Sequence, residues 1–291
     1  MILQYISRID NSSLLSEFAD EFRVAGFEFY FTHINENDIL TDYHRIQPDI
    51  VFVHHNKGIL TTDVWAQMKC YKIWWSNDDR FPPDAWRIIF APIFDLFIVA
   101  STNSVQVMKE LGTDAEYLIM GYIKKAYENK DRNINMAFLG QNSGEIFSLS
   151  KLRRDICTRL YNEIEDFELF GRGWGGNIEH QAKNIYHRVK IGLSIGHQNN
   201  GLVYSNRMLD IMGHGAMCLC YRTSNLESIF IEGETCVYFD NYDELVEKYY
   251  YYIENDAERE RIALNGREFV ENNLTWKHKA EPIIKMLKDR L

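Results

Sequence analysis

Residues 204–245, YSNRMLDIMGHGAMCLCYRTSNLESIFIEGETCVYFDNYDEL, hold the pattern that decides the fold. Ser205 or Asn206 opens a helix as its N-cap, and Arg207 and Asp210 stand one turn apart on it. The helix stops at Gly213 to Gly215, where glycine permits a left-handed C-cap. Ala216–Tyr221 follows at once, short and apolar, as expected of a parallel strand covered on both faces. A helical turn near Leu226–Ile229, the turn Glu232-Gly233-Glu234, a second strand Thr235–Phe239 and a helix opening at Asn241 or Asp243 complete the run. This order makes one nucleotide-binding βα layout, with the Asp210 acid facing the site.

Outward from this stretch the same alternation continues in both directions. The N-terminal part of the chain predicts strands at Ile2–Ile6, Phe27–Phe31, Ile50–Val53, Tyr71–Trp75, Leu96–Ala100 and Ala115–Leu118. Helices are expected between them near Leu14–Ala25, Trp65–Lys69, Asp84–Phe90 and Ser104–Leu111. A second cycle runs from Asn135 to Phe239, so two doubly wound parallel sheets are predicted. The polar segment Gly121 to Asn133 reads as the hinge between them. The expected division is 1–122 and 133–275. Trp276, Ala280, Ile283, Leu287 and Leu291 recur at helical spacing and predict an amphipathic last helix.

A chain of 291 residues, 46% hydrophobic and 14% aromatic, is long enough for two cores. No window approaches a membrane span, and Met1–Ile6 is too short for a signal peptide, so a cytoplasmic protein is expected. Five cysteines without a CxxC pair argue against zinc or a disulfide framework. A net charge of −10 weighs against a protein whose affinity comes mainly from neutralising a phosphate backbone, and leaves nucleic acid open as an acceptor. Lys124-Lys125 and Arg153-Arg154 remain as local basic pairs able to meet a phosphate, or simply as solvated faces.

Taken with Met136-Ala137-Phe138-Leu139-Gly140, the Arg153-Arg154 pair and Leu169-Phe170-Gly171-Arg172-Gly173-Trp174, the chain resembles the spore-maturation (CgeB-like) branch of the GT-B glycosyltransferases over residues 45–290. The resemblance implies two Rossmann-like doubly wound domains facing a cleft. It implies a nucleotide-sugar donor held by the C-terminal domain, an acceptor held by the N-terminal one, and a last helix crossing back to the latter. Many retaining enzymes of that fold carry two glutamates eight positions apart. Here the second falls on Asp210, still able to accept from ribose hydroxyls, and the first on Leu202.

Ligands of open α/β sheets sit beyond the carboxyl ends of strands, so residues there are the candidates. For the donor these are Gly140, Gly171, Arg172, Gly173, Trp174, Tyr204, Ser205, Asn206, Arg207 and Asp210. Gly140 lets backbone approach a diphosphate, or is a plain turn glycine. Residues 171–176, GRGWGG, satisfy the dinucleotide spacing literally, but no acid ends the next strand and Trp174 crowds the turn. The resemblance places this loop along the donor cleft. Loop 195–203 leads into the helix N-terminus, the preferred diphosphate site, with Arg207 on a phosphate and Asp210 on ribose. An ion pair between those two is the plain alternative. His214 either complements the helix dipole or binds ligand.

For the acceptor's proton, His54-His55-Asn56 and Asn77-Asp78-Asp79 follow the third and fourth strands, so Asp78, Asp79 or His55 is expected as general base. Capping of the helix at Asp84 is their other use. Asn77-Asp78-Asp79 also resembles the metal-binding motif of GT-A enzymes, but two Rossmann-like halves predict no obligatory metal and no cofactor. The expected activity is sugar transfer from a nucleoside-diphosphate sugar, a UDP-sugar foremost, to a protein, glycan, small molecule or modified DNA base. The rivals are a non-catalytic nucleotide-sugar binding protein and an NAD-dependent oxidoreductase.

Overall fold

The computed structural model describes residues 1–7, 16–33, 36–54, 60–76, 83–119, 121–122, 131–142, 144, 147–174, 185–199 and 201–291. The chain divides into two compact units, Met1–Gly121 with Trp276–Leu291, and Tyr122–Thr275.

The first unit runs β1 (Ile2–Ser7), α1 (Ser16–Val24), β2 (Glu28–His33), α2 (Glu36–Ile46), β3 (Ile50–His54), α3 (Thr62–Gln67), β4 (Tyr71–Trp75), α4 (Ala85–Phe90), β5 (Leu96–Val99), α5 (Thr102–Glu110) and β6 (Asp114–Tyr117). Its six strands pair in parallel in the order β2-β1-β3-β4-β5-β6, reversing direction of growth between β1 and β3. Strands β3 and β5 are buried at every position, because helices cover both faces and leave no solvent side for alternation. One face packs Trp65, Trp74, Phe90, Phe94 and Phe97. The other stacks Tyr5, Phe18, Phe29, Phe52 and Trp75 ring against ring. Each such ring removes about 150–250 Å² from water, which is why this sheet needs no covalent staple.

The apolar pattern of the sequence does not single out α2, although Ile39, Tyr43 and Ile46 stand at helical spacing. Its remaining positions are almost all polar, and among its described side chains Ile39 and Ile46 are the buried ones.

The second unit runs β7 (Ile134–Leu139), α6 (Ser150–Glu163), β8 (Phe167–Phe170), β9 (Val189–Ser194), α7 (Asn206–Gly213), β10 (Met217–Tyr221), β11 (Val237–Phe239), α8 (Tyr242–Glu254) and α9 (Asp256–Asn273). Its five parallel strands lie in the order β11-β10-β9-β7-β8, reversing between β9 and β7. Ser205 is the N-cap of α7, its hydroxyl accepting from the Met208 amide. Asn241 caps α8 in the same way through Glu244. Gly215, at φ 72°, takes the left-handed position behind α7. The strand expected from Thr235 begins at Val237, because Thr235 and Glu234 are still bonded into the preceding turn through the Ile231 carbonyl.

Helix α10 (Trp276–Arg290) belongs to the first unit and packs on α1, its Trp276 ring meeting Phe18, Trp75 and His54. Its apolar seam ends a turn earlier than the spacing predicts: Leu287 is buried and Leu291 is 55% exposed. All five cysteines are free thiols, and no described helix is long and apolar enough to cross a membrane.

Candidate functional site

The reversal of strand order between β7 and β9 opens a crevice at their carboxyl ends, where α/β sheets take ligands. Arg207, on the first turn of α7, spans that gap. Its Nε donates to the carbonyl of Leu139, the last residue of β7, at 2.6 Å, and its Nη1 to the carbonyl of Ile195, just past β9, at 2.8 Å. The guanidinium carbon lies 4.3 Å from the centre of the Phe138 ring. Three contacts therefore fix the plane of the fork. Arg207 does not pair with Asp210, and its Nη2 lies beside Gly140. A Cβ at position 140 would stand 2.4 Å from Nη2, so glycine there is required by the close approach of the arginine.

The loops after β7 and β8 are joined at the same point. Gly140 donates to the Phe170 carbonyl, and its own carbonyl accepts the Trp174 indole N–H at 2.7 Å. Gly171, at φ 116°, has the Gly140 oxygen where a Cβ would be, 2.1 Å away. Gly173, at φ 88°, lies nearly as close to Asn142, whose amide N–H donates to the Arg172 carbonyl. The Arg172 side chain is exposed. Trp174 rests edge-on to Phe138 and acts here as a strut between loops. These glycines follow β8, an edge strand, whereas a dinucleotide fingerprint follows the strand at the reversal. Gly175 and Gly176 lie outside the described residues.

A second arginine reaches this point. Arg153 of α6 is buried and donates to the Gln141 carbonyl at 3.1 Å. Burial, and then the like charge of Arg207, lower its pKa to about 10. Among the described residues no carboxylate pairs with either arginine. The charge of Arg207 repels that of Arg153, and an anion placed beside the pair is attracted by both. Cys157 lies in the field of both, yet burial holds its thiol up at about 12, so it stays protonated near neutral pH. The sequence pairs Arg153 with Arg154 as one basic patch. The helix separates them, burying Arg153 and leaving Arg154 half-buried at the surface.

The remaining donor candidates lie along α7. Tyr204 is buried edge-on to Phe230, Asn206 is exposed, and Asp210 is half-buried. The Asp210 carbonyl contacts His214 Nδ1 at 2.6 Å, and the His214 ring packs on His187. His214 is thereby part of the packing at the helix end. Its ring and that of His187 are both buried, where the sequence showed no partner for the latter.

Of the acid and base candidates, His55, Asp78 and Asp79 lie outside the described residues. Their neighbours are placed. His54 ends β3 in full burial, with the Tyr5 hydroxyl 2.6 Å from its Nδ1. Ser76, just past β4, accepts from Arg87 Nη2 at 2.6 Å. Asp84 occupies the N-cap position of α4 without a capping bond, its carboxylate taking the Trp86 indole N–H and Arg87 instead. No cluster of three metal-ligating side chains occurs among the described residues.

Residues 148–285 match the family model described as glycosyl transferase-like. The fold is that of GT-B glycosyltransferases. Sucrose-phosphate synthase of Thermosynechococcus elongatus superposes with a TM-score of 0.65 at 10% identity, covering 99% of this chain and 98% of that one. An alpha-glucosyltransferase solved with UDP-glucose and DNA containing an abasic site gives 0.64 at 10% identity, covering 99% of each chain. Anabaena HepE in complex with UDP-glucose gives 0.63 at 8% identity, over 99% of this chain and 100% of that one. No curated protein matches the chain.

Proposed function

We propose that this protein is a glycosyltransferase that moves a sugar from a UDP-sugar to an acceptor, and that it belongs to the CgeB-like branch of the GT-B enzymes. The observation that carries the reading is the pair Arg153 and Arg207, held by backbone carbonyls at the strand reversal and bonded to no carboxylate among the described residues. A diphosphate is the anion that such a pair and the N-terminus of α7 suit. Negative charge grows on the diphosphate as the glycosidic bond to it breaks, and donors already aimed there lower the barrier without rearranging. Asp210 accepts from the ribose hydroxyls. Asp78, Asp79 or His55 receives the acceptor proton. The two guanidinium groups supply the positive charge, so we propose that no obligatory metal takes part. The glycosyl transferase-like match over 148–285 and the UDP-glucose carried by solved proteins of the same fold support the choice of donor. A cytoplasmic location belongs to the same proposal.

Isothermal titration of the protein with UDP, GDP, ADP, TDP and NAD, followed by a donor-hydrolysis assay, tests the reading. UDP binding with slow release of sugar is expected. No binding of any nucleoside diphosphate near millimolar concentration rejects it. Binding without turnover favours a second reading, a non-catalytic nucleotide-sugar binding protein, to which Leu202 in place of the first glutamate points.

A further inference from the structure

A cavity of about 510 Å³ opens at the amino ends of the strands of the second unit. Arg132 and Gly215, just ahead of β7 and β10, and Lys190 at the start of β9 form one wall. Helix α9 forms the other with Arg259, Ala263 and Arg267, which stand four residues apart and so share one face. Gly215 and Ala263 have little or no side chain to fill the space between the walls. The crevice spanned by Arg207 lies at the opposite, carboxyl ends of the same strands, so a ligand here meets none of its residues.

The charges of this cavity are sorted by depth. Its cations lie inside: the Arg259 side chain is 5% exposed and that of Arg267 19%, and Arg132 and Lys190 are half-buried. Its acids stand at the rim, Asp256 at 69%, Glu260 at 75% and Asp131 also exposed. Charges held away from water act through a lower dielectric than charges surrounded by it, so an anion inside feels the cations more than the acids. Arg259 pairs with Asp256 and Arg267 with Glu271, while the Arg132 guanidinium is fixed by the carbonyls of Tyr186, Val189 and His214 at 2.5–2.8 Å. Lys190 alone of the four has no hydrogen-bond or ion-pair partner for its side chain among the described residues. We infer that the cavity binds a small molecule carrying two anionic groups, one of them a phosphate. Lys190 and Arg132 attract one group at the strand ends, and Arg267 and Arg259 attract the other from α9. A phosphate answers such clustered donors with nearly two charges and three free oxygens, and guanidinium forks match it or a carboxylate. A long polyanion is turned away, because its further charges would lie over the rim acids of a protein of net charge −10.

The test is isothermal titration at low ionic strength with 3-phosphoglycerate, which carries a phosphate and a carboxylate, and with inorganic phosphate, which carries a single anionic group. Wild type is expected to bind 3-phosphoglycerate at millimolar concentration or below, and more tightly than phosphate. Lys190→Glu, which removes a cation and adds an acid, should weaken 3-phosphoglycerate on the order of tenfold or more. Arg207→Ala, at the far ends of the strands, should keep its affinity within about twofold. Lys190→Gln, which removes the charge alone, should show a smaller loss of the same kind and serves if the glutamate variant does not fold. Loss of binding in Arg207→Ala with none in the Lys190 variants would put the anion in the Arg207 crevice and overturn the inference. Phosphate binding as tightly as 3-phosphoglycerate would overturn the two-group ligand, and no binding of either by wild type at millimolar concentration would overturn the site. The donor reading stands or falls separately, by titration with UDP.

Discussion

At the residue scale, the unusual chemistry is two arginines that use backbone carbonyls where carboxylates would be ordinary. Arg207→Ala leaves the Leu139 and Ile195 carbonyls without their donor, a loss of about 1–3 kcal/mol of stability. It should also weaken UDP far more than uridine, and titration of both ligands measures the difference. Equal weakening would make Arg207 purely a brace. Arg153 makes a separate prediction from its pKa of about 10 against an ordinary 12.5. A base whose folded pKa is lowered opposes folding while it is charged, so its penalty is full below pH 10 and is relieved as pH rises through the window from 10 to 12.5. Diphosphate binding runs the other way, because the ligand needs the cation. UDP affinity should fall as pH passes about 10, and Arg153→Gln should bind more weakly with that step missing.

At the element scale, glycines set how closely α7 and the β7 and β8 loops approach their neighbours. Alanine at position 213 would gain about 1 kcal/mol of helix propensity, yet its Cβ would stand 2.1 Å from the Tyr122 ring. The clash should dominate. Gly213→Ala is expected to lower Tm, and adding Tyr122→Leu to recover part of the loss, a coupling that two sites in contact show and distant ones do not. Gly171→Ala faces both a left-handed φ and the Gly140 carbonyl, so a loss of about 2 kcal/mol or more is expected by chemical denaturation. A normal denaturation midpoint would show that the β7 and β8 loops are not locked together.

At the scale of the whole molecule, the proposed division of labour assigns the donor to Tyr122–Thr275. Hydrogen exchange with and without UDP checks it. Protection is expected in 139–142 and 194–207, and protection confined to the other unit would reverse the assignment. Transfer activity should survive EDTA. If chelation abolishes it and Mn²⁺ restores it, Asn77-Asp78-Asp79 is a metal motif and the guanidinium pair is not sufficient. Changing Asp78 or Asp79 to Asn should lower kcat by roughly 100-fold for whichever is the base, with UDP affinity kept.

The sequence by itself determined the two parallel sheets, narrowed the caps to Ser205 or Asn206 and to Asn241 or Asp243, and marked the glycines at 140 and 171, because periodicity and backbone freedom are local properties. It also put Arg207 and Asp210 on one helix face, since residues three apart share a face in any α-helix. Local rules missed one whole element, α2, which is too polar to stand out, and erred at edges: β11 begins two residues later, and Leu291 loses its burial where the seam runs out of neighbours. Tertiary structure alone decided what the charges do. Arg207 turns from Asp210 to the backbone because the ends of β7 and β9 offer carbonyls within reach. Arg153 parts from Arg154 because one side of α6 is buried. Trp174 braces the Gly140 carbonyl while Arg172 beside it stays exposed, an outcome no local rule gives, because the atoms that meet each side chain come from chain segments far apart.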